Sequence, residues 1–187
     1  MTKIGIIVGS TREGRVSVPV AEWVKEFAEK QNTDAQFEVV DIKEYGLDRF
    51  NEKLPPAMAN KEYSNEKITA WSEKIDELDG FIFVTPEYNN NITSSLKDHI
   101  DYIASEWNNK AAGIVSYGST LGMYASLALR NTLGNLRMAV VSPQGAFSLF
   151  TDFEGMTEFA PQEVHNATME ALINDVVNWS TALKTVR

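Results

Sequence analysis

A short polar loop near the start of the chain carries the residue types that bind phosphate. It follows the apolar run IGIIVG and has the sequence GSTREGRVS. Arg12 and Arg15 offer guanidinium groups whose planar donor forks match phosphate oxygens. Ser10, Thr11 and Ser17 add hydroxyl donors. The loop therefore predicts a phosphate site, and the alternative is that Ser17 only caps a helix while the arginines face solvent.

The loop departs from two familiar phosphate-binding patterns, and the departures narrow the ligand. Gly9 and Gly14 have the spacing of the Walker pattern. Arg15 and Val16 then stand where that pattern needs Lys followed by Ser or Thr. The dinucleotide fingerprint needs a third glycine, although Asp41 ends the second apolar run, where a ribose-binding acid would stand. Hydroxyls in place of glycines suit a terminal monophosphate better than a pyrophosphate, so a mononucleotide such as FMN is expected.

Two more polar loops follow later apolar runs, TPEYNNN after the third and SYGSTLG after the fourth. Pro86 stiffens the first of these loops, Tyr88 offers an aromatic surface, and the three asparagines at 89–91 offer amide groups. Gly118 lets a ligand approach the backbone of the second loop. Taken alone, PEYNNN is an ordinary turn with an exposed tyrosine. Together with the phosphate loop, the two loops predict a site for a planar polar ring.

The elements that must position these loops alternate along the chain. Five apolar runs, IGIIVG, FEVVDI, GFIFVTP, AAGIVSYG and MAVVSP, alternate with five helical patterns. Strands that are apolar throughout are typical of a parallel sheet covered on both faces. The sequence predicts an α/β fold, a flavodoxin-like three-layer sandwich with a five-stranded parallel sheet in the order 2-1-3-4-5 and helices on both faces. We expect 1–187 to form a single domain of this kind.

Apolar stripes at helical spacing are expected to face the sheet, aromatic side chains included. The stripes are Val20, Val24 and Phe27; Ile68, Trp71, Ile75 and Leu78; Leu96, Ile100, Ile103 and Trp107; and Leu172, Val176, Trp179 and Leu183.

A long irregular stretch at 43–66 separates the second strand from the second helix, and we expect it to lie at the pocket entrance.

Composition narrows the function classes. The net charge is -9, which disfavours nucleic acid and anionic membranes as partners. The absence of cysteine excludes disulfides and thiol redox chemistry, so a redox function needs a bound cofactor. The segment MTKIGIIVGS lacks the features of a signal peptide or spanning helix, and we expect a cytoplasmic protein. His99 and His165 have no metal-ligand spacing, so neither a metal site nor a catalytic histidine is predicted.

Three blocks together resemble the NAD(P)H-dependent FMN reductases: GSTREGR, FVTPEYNNNITSSLKDHIDYIASEW and VSYGS. The resemblance implies a flavodoxin-like fold with noncovalent FMN. By this resemblance the FMN phosphate and its side chain would be held by Ser10, Arg12, Arg15, Ser17 and Val18. The isoalloxazine ring would be lined by Pro86, Glu87, Tyr88 and Asn89, largely through backbone groups, and its far edge would be contacted by Ser116, Tyr117 and Gly118.

The resemblance also implies a reaction and partners. NADPH or NADH would give a hydride to the flavin in a ping-pong cycle, with NADPH favoured on family grounds, and the acceptor would be a quinone, an azo dye, a metal oxyanion such as chromate, or a free flavin. Backbone N–H groups of the ring loops would stabilise the reduced flavin. A homodimer or larger assembly would pack through the helix after PEYN, which includes Tyr102 and Trp107, and this packing would place the partner subunit near the flavin. The alternative is that Trp107 is a core residue.

Two departures from the family and three rival functions remain. Many relatives have His or Tyr after PEYN and a small glycine-rich segment after SYG, whereas this chain has Asn90 and STLGMY. The bulk of Leu121, Met123 and Tyr124 would narrow the pocket or shift the nicotinamide. The rivals are a flavodoxin-type electron carrier, a flavin-based redox-sensing binding module, and a magnesium-dependent nucleotide hydrolase based on the near-Walker loop.

Overall fold

A five-stranded parallel sheet forms the centre of the structure. The computed structural model describes residues 1–31 and 33–187. The strands are β1 (Thr2–Val8), β2 (Ala35–Asp41), β3 (Gly80–Pro86), β4 (Ala111–Gly118) and β5 (Ala139–Ser148). Each pairs in parallel with its neighbours in the order β2-β1-β3-β4-β5. The predicted strand order is therefore confirmed, and its reversal between β1 and β3 creates the crevice where such folds bind ligands.

Helices connect these strands, and polar side chains begin several of them. Asp41, Asn65 and Thr93 each accept a hydrogen bond from a backbone amide in the first turn of the helix that follows. Among the described residues, no helix combines the length and apolar character needed to cross a membrane. The α-helices are α1 (Ser17–Glu29), α2 (Ile42–Tyr45), α3 (Glu66–Asp76), α4 (Ser94–Asp101), α5 (Met123–Asn135) and α6 (Asn166–Leu183).

Alternate side chains of each strand enter two separate cores. Phe81 and Phe83 of β3 pack with residues of α3, α4 and α5. Ile82 and Val84 of the same strand pack with residues of α1 and α6. Successive side chains of a strand point to opposite faces, so a strand that is apolar throughout is buried on both. The two cores confirm the predicted helical layers on both faces of the sheet.

The predicted third helix ends earlier than its apolar stripe. The helix α4 stops at Asp101, and a short 3-10 helix over Ser105–Trp107 follows. The side chain of Trp107 is fully buried, and its Nε1 donates to the Ile100 carbonyl at 3.2 Å. Tyr102 is also buried. The expectation that the helix after PEYN includes Tyr102 and Trp107 is therefore wrong, because both lie beyond its end and pack inside their own chain. The alternative of a core Trp107 is confirmed, and packing of a partner subunit against α4 stays a prediction.

Three other element predictions need correction. Trp179 is 52% exposed, because the buried face of α6 runs through Leu172, Val176 and Ser180 instead. The strand β5 continues past Pro143, which an edge strand tolerates where its register with β4 shifts. Two short antiparallel strands, β6 (Phe153–Glu154) and β7 (Glu158–Phe159), follow β5.

The segment predicted as irregular over 43–66 is partly regular and tied to the body of the chain. It contains the end of α2 and a 3-10 helix over Pro56–Met58. Its Tyr63 hydroxyl donates to the buried carboxylate of Glu106, and the Tyr102 hydroxyl donates to the Arg49 carbonyl at 3.0 Å. These contacts fix the segment against the core on the face of the sheet that α3 and α4 cover.

Candidate active site

A cleft of about 260 Å³ lies at the carboxyl ends of β1, β3 and β4. Three loops and a hairpin form its walls, so residues that are far apart in the sequence line the same cleft. Its volume is slightly below the roughly 300–1,000 Å³ typical of small-molecule sites, which leaves part of a ligand of that size exposed. The cleft is lined by Ser10, Arg12, Gly14, Arg15, Val16, Pro86, Glu87, Tyr88, Tyr117, Gly118, Leu149, Met156 and Thr157.

The loop after β1 is held against the end of β3 by its first residue. The amide of Gly9 donates to the Val84 carbonyl at 2.8 Å, and a Cβ at this position would come within 2.7 Å of that oxygen. The Gly9 carbonyl accepts from Thr93 Oγ1 at 2.7 Å. Only a glycine allows this approach, so Gly9 fixes where the loop leaves the sheet.

The N-terminus of α1 opens beside this loop and has free donors. Within the described part of the chain, no side chain caps the helix, and its first turn contains no acid. The Ser17 hydroxyl is buried there near the side chain of Tyr117, but no atom of the described residues forms a hydrogen bond of normal geometry with it. A helix N-terminus carries partial positive charge and unpaired amides, so it favours an anion. The orphaned Ser17 hydroxyl and the uncapped helix therefore fit a phosphate group.

The two arginines of the loop have different partners. Arg15 forms a two-pronged ion pair with Asp41, with Nη1 at 2.7 Å from Oδ1, and it also donates to the Ser10 carbonyl. Its charge is thus balanced by the end of β2. Arg12 is exposed, and its Nε donates to the Tyr88 hydroxyl at 3.1 Å. Arg12 is the loop arginine whose charge faces the cleft without an acidic partner among the described residues. The phosphate role predicted for Arg15 stays a prediction.

The asparagines after Tyr88 form a tight turn. Tyr88 and Asn91 exchange backbone hydrogen bonds of 2.8 and 3.1 Å. Between them Asn89 and Asn90 have φ angles of 50° and 62°, a left-handed conformation that asparagine tolerates better than most residues. The alternative of an ordinary turn thus describes the backbone of PEYNNN correctly. Tyr88 at its base is 38% exposed and lines the cleft, whereas Asn89 does not.

Glu87 links the loop after β3 to the loop after β4. Its carboxylate accepts from Thr120 Oγ1 at 2.6 Å and from the amides of Tyr124 and Ala125 at 2.8 and 3.1 Å. The side chain therefore caps α5, while Glu87 also lines the cleft. The sequence does not show this role, because the capped helix lies more than thirty residues away.

Of the three site residues predicted on β4, two line the cleft and one lies behind it. Tyr117 and Gly118 line the cleft, whereas Ser116 is buried behind them and donates to the Leu121 carbonyl at 2.8 Å. Val18 and Ser17 lie in the first turn of α1 and do not line the cleft. Burial raises the pKa of Tyr117 above its ordinary value, so its hydroxyl stays protonated at neutral pH.

Five lining residues were missed from the sequence: Gly14, Val16, Leu149, Met156 and Thr157. The first two belong to the loop after β1, Leu149 directly follows β5, and Met156 and Thr157 lie in the β6–β7 hairpin. Strands of two residues leave no periodic signal, although Gly155 marks a turn. No residue of 43–66 is among the described residues that line the cleft, and a position of this segment near the entrance stays a prediction.

The histidines and a larger surface cavity lie away from the cleft. His99 is buried, its Nδ1 donates to the Ser95 carbonyl at 2.7 Å, and burial lowers its pKa, which keeps it neutral. His165 Nε2 lies 2.8 Å from the Asp152 carboxylate. A cavity of about 520 Å³ beside β2 is lined partly by Lys74 and Glu38, which pair with each other at 3.3 Å and leave little free charge for a ligand.

The strand order and the helical layers define a flavodoxin-like α/β protein, with the cleft at the carboxyl ends of its strands. The family model for NADPH-dependent FMN reductase matches residues 2–152, and the chain belongs to this family. The prediction of an FMN-dependent NAD(P)H oxidoreductase is thereby confirmed.

Individual relatives agree with this assignment. The chain is 37% identical over 150 residues to an NAD(P)H-dependent FMN reductase of Schizosaccharomyces pombe, covering 80% of this chain and 74% of that protein. It is 30% identical over 161 residues to a quinone reductase of Pseudomonas putida, covering 80% and 81%. Among solved structures, the flavoenzyme NAD(P)H:(acceptor) oxidoreductase from Paracoccus denitrificans shares the fold, with a TM-score of 0.73 and 18% identity over 97% of this chain and 98% of that chain.

Proposed function

We propose that the cleft is the FMN site and that the chain uses it to transfer reducing equivalents from NADPH or NADH to small acceptors. The expected acceptors are quinones, free flavins, azo dyes and metal oxyanions. One observation carries the assignment: the uncapped N-terminus of α1, with its orphaned Ser17 hydroxyl, opens beside the cationic Arg12. When bound, FMN supplies the hydride chemistry, and the protein supplies binding and orientation.

The phosphate end of the ligand would be held at the first loop. Ser17 Oγ and the amides of Ser17 and Val18 are donors at the helix end, and Ser10 contributes a buried hydroxyl beside the cleft. Arg12 adds an exposed positive charge at the cleft. Arg15 contributes through Asp41, because this ion pair fixes the loop relative to β2.

The ring end would be held by the loops after β3 and β4. Pro86 and Gly118 present backbone at the cleft floor, and Tyr117 presents a protonated hydroxyl. Tyr88 offers an exposed aromatic face to an incoming planar substrate, to which stacking contributes. Asn89 supports the loop after β3 by forming its left-handed turn. Ser116 of β4 supports the loop after that strand by donating to the Leu121 carbonyl. A partly open cleft lets nicotinamide and acceptor reach the same place in turn.

The oligomeric state, the cellular location and the absence of macromolecular partners are also part of the proposal. One flavodoxin-like unit over 1–187 would form a homodimer in the cytoplasm and bind neither nucleic acid nor membrane, as its net charge of -9 favours. Support for the dimer comes from Met123, Tyr124 and Leu127, which are 40%, 51% and 60% exposed on α5. Apolar side chains grouped on one helix are typical of an interface.

The site assignment is tested by titrating the apoprotein with FMN and following the quenching of flavin fluorescence. Replacing Arg12 with Ala should weaken FMN binding about 10- to 100-fold, because a charge-assisted hydrogen bond contributes about 1.5–3 kcal/mol. Arg49→Ala removes an exposed arginine outside the cleft and serves as the matched control. Equal affinity of the Arg12 and Arg49 variants would contradict the phosphate site.

A further inference from the structure

The β6–β7 hairpin lies beyond the residues that the family model matches, yet it forms one wall of the cleft. The family match ends at residue 152, and the hairpin begins at Phe153. Its tip is a tight turn closed by a hydrogen bond from the Thr157 amide to the Glu154 carbonyl at 3.1 Å. Met156 and Thr157 of this tip line the cleft together with Arg12 and Tyr88.

The hairpin is firmly anchored at its base. The Asp152 carboxylate is 1% exposed and accepts from the amides of Ser148 and Gln162 at 2.8 and 3.3 Å. His165 Nε2 contacts the same carboxylate at 2.8 Å. Because these partners come from both sides of the hairpin, contacts within the chain hold its base in place.

Aromatic packing also fixes the two strands. Phe159 lies 5.0 Å from Phe147 and 5.5 Å from Trp23 between ring centroids, and Phe153 lies 5.6 Å from Tyr117. Trp23 belongs to α1 and Tyr117 to the cleft itself. The hairpin is therefore continuous with the elements that form the site.

Met156 is the unusual residue of this wall. It is 56% exposed, and its φ angle of 61° is a left-handed conformation that is unfavourable for a side chain with a Cβ. The preceding Gly155, at φ 55°, adopts the same conformation without that cost. The tight turn of the hairpin accounts for the left-handed backbone, since turns of this kind need positive φ at both central residues. The exposure of an apolar side chain on the cleft wall is accounted for if a ligand covers it.

We propose that Met156 is a flavin-binding residue, whose thioether side chain packs against the apolar part of the ring bound in the cleft and slows its release. The inference rests on the proposed function, because it needs FMN in this cleft. Methionine suits the role, since sulfur makes favourable contacts with aromatic rings and its unbranched chain adapts to their shape. The hairpin thereby gives this chain a ring contact outside the part it shares with the family model.

The test is the affinity and dissociation rate of FMN for Met156→Ala and Met156→Gly, with Met156→Leu as the conservative variant. Glycine suits the left-handed turn, so Met156→Gly removes the side chain without loss of the hairpin. Burying about half of this side chain predicts about three- to tenfold weaker binding and faster release for the Ala and Gly variants. Leucine should retain most of the affinity. Met58→Ala is the matched control, because Met58 is 61% exposed outside the cleft.

The outcomes separate this inference from the proposed function. If the unsubstituted chain binds FMN and both the Ala and Gly variants bind it equally well, the role of Met156 is refuted while the cleft assignment stands. If the unsubstituted chain does not bind FMN, both are refuted.

Discussion

Replacing Glu87 with Ala should destabilise the chain through α5. The carboxylate accepts from two amides in the first turn of that helix and from the Thr120 hydroxyl. Loss of a helix cap costs about 0.5–2 kcal/mol, and loss of a negative charge at the helix N-terminus costs about 0.3–1 kcal/mol. The side chain is partly exposed, so water replaces some of the lost contacts. The expected loss is about 1–2 kcal/mol in the free energy of unfolding.

Urea unfolding of the apoprotein measures this loss. Glu87→Gln keeps one oxygen acceptor and should lose less than Ala. Glu62→Ala removes an exposed acid outside the cleft and is the control. FMN affinity should fall with Glu87→Ala as well, since the loops after β3 and β4 are no longer tied together. An Ala variant as stable as the Glu62 control would refute the capping role.

Two further predictions concern residues away from the cleft. Burial lowers the pKa of Lys110 from 10.5 to about 8 in the folded chain. Between these two pH values the Lys110 side chain is protonated in the unfolded chain and neutral in the folded one. The free energy of unfolding therefore rises with pH over this range. The rise is at most about 3 kcal/mol. Urea unfolding at several pH values should show it in the unsubstituted chain but not in Lys110→Met. The same dependence of unfolding free energy on pH in both chains would contradict the prediction. Trp107→Ala should cost about 3–5 kcal/mol, because the side chain is fully buried. The half-exposed Trp179→Ala should cost about 1–2 kcal/mol in the same assay, because about half of the side chain is buried. Equal losses would contradict the burial of Trp107.

The strand order and the positions of the three loops could be predicted because they follow from local patterns. Continuous apolar runs identify strands buried on both faces, and Gly and Pro mark where they end. The end of α4 at Asp101 could not be predicted, since Ile103 and Trp107 continue the helical spacing in a 3-10 segment that the core accommodates. Trp179 shows the opposite case, an aromatic residue at core spacing that faces solvent.

Several residues of the site could be predicted from the sequence, but the contacts between their side chains could not. Ser10, Arg12 and Tyr88 line one cleft, as the loops indicated. The pairing of Arg15 with Asp41 and the capping of α5 by Glu87 depend on side chains brought together by the sheet. Residue types alone do not distinguish an arginine that faces a ligand from one that already has an acidic partner.

Anaerobic stopped-flow absorbance of the FMN-loaded chain, mixed with NADPH and NADH separately, tests the central claim most directly. The account predicts rapid loss of the visible flavin absorbance with at least one nicotinamide and its return when a quinone is added. Flavin that binds but stays oxidised with both nicotinamides would contradict the proposed oxidoreductase and favour an electron carrier or a redox sensor.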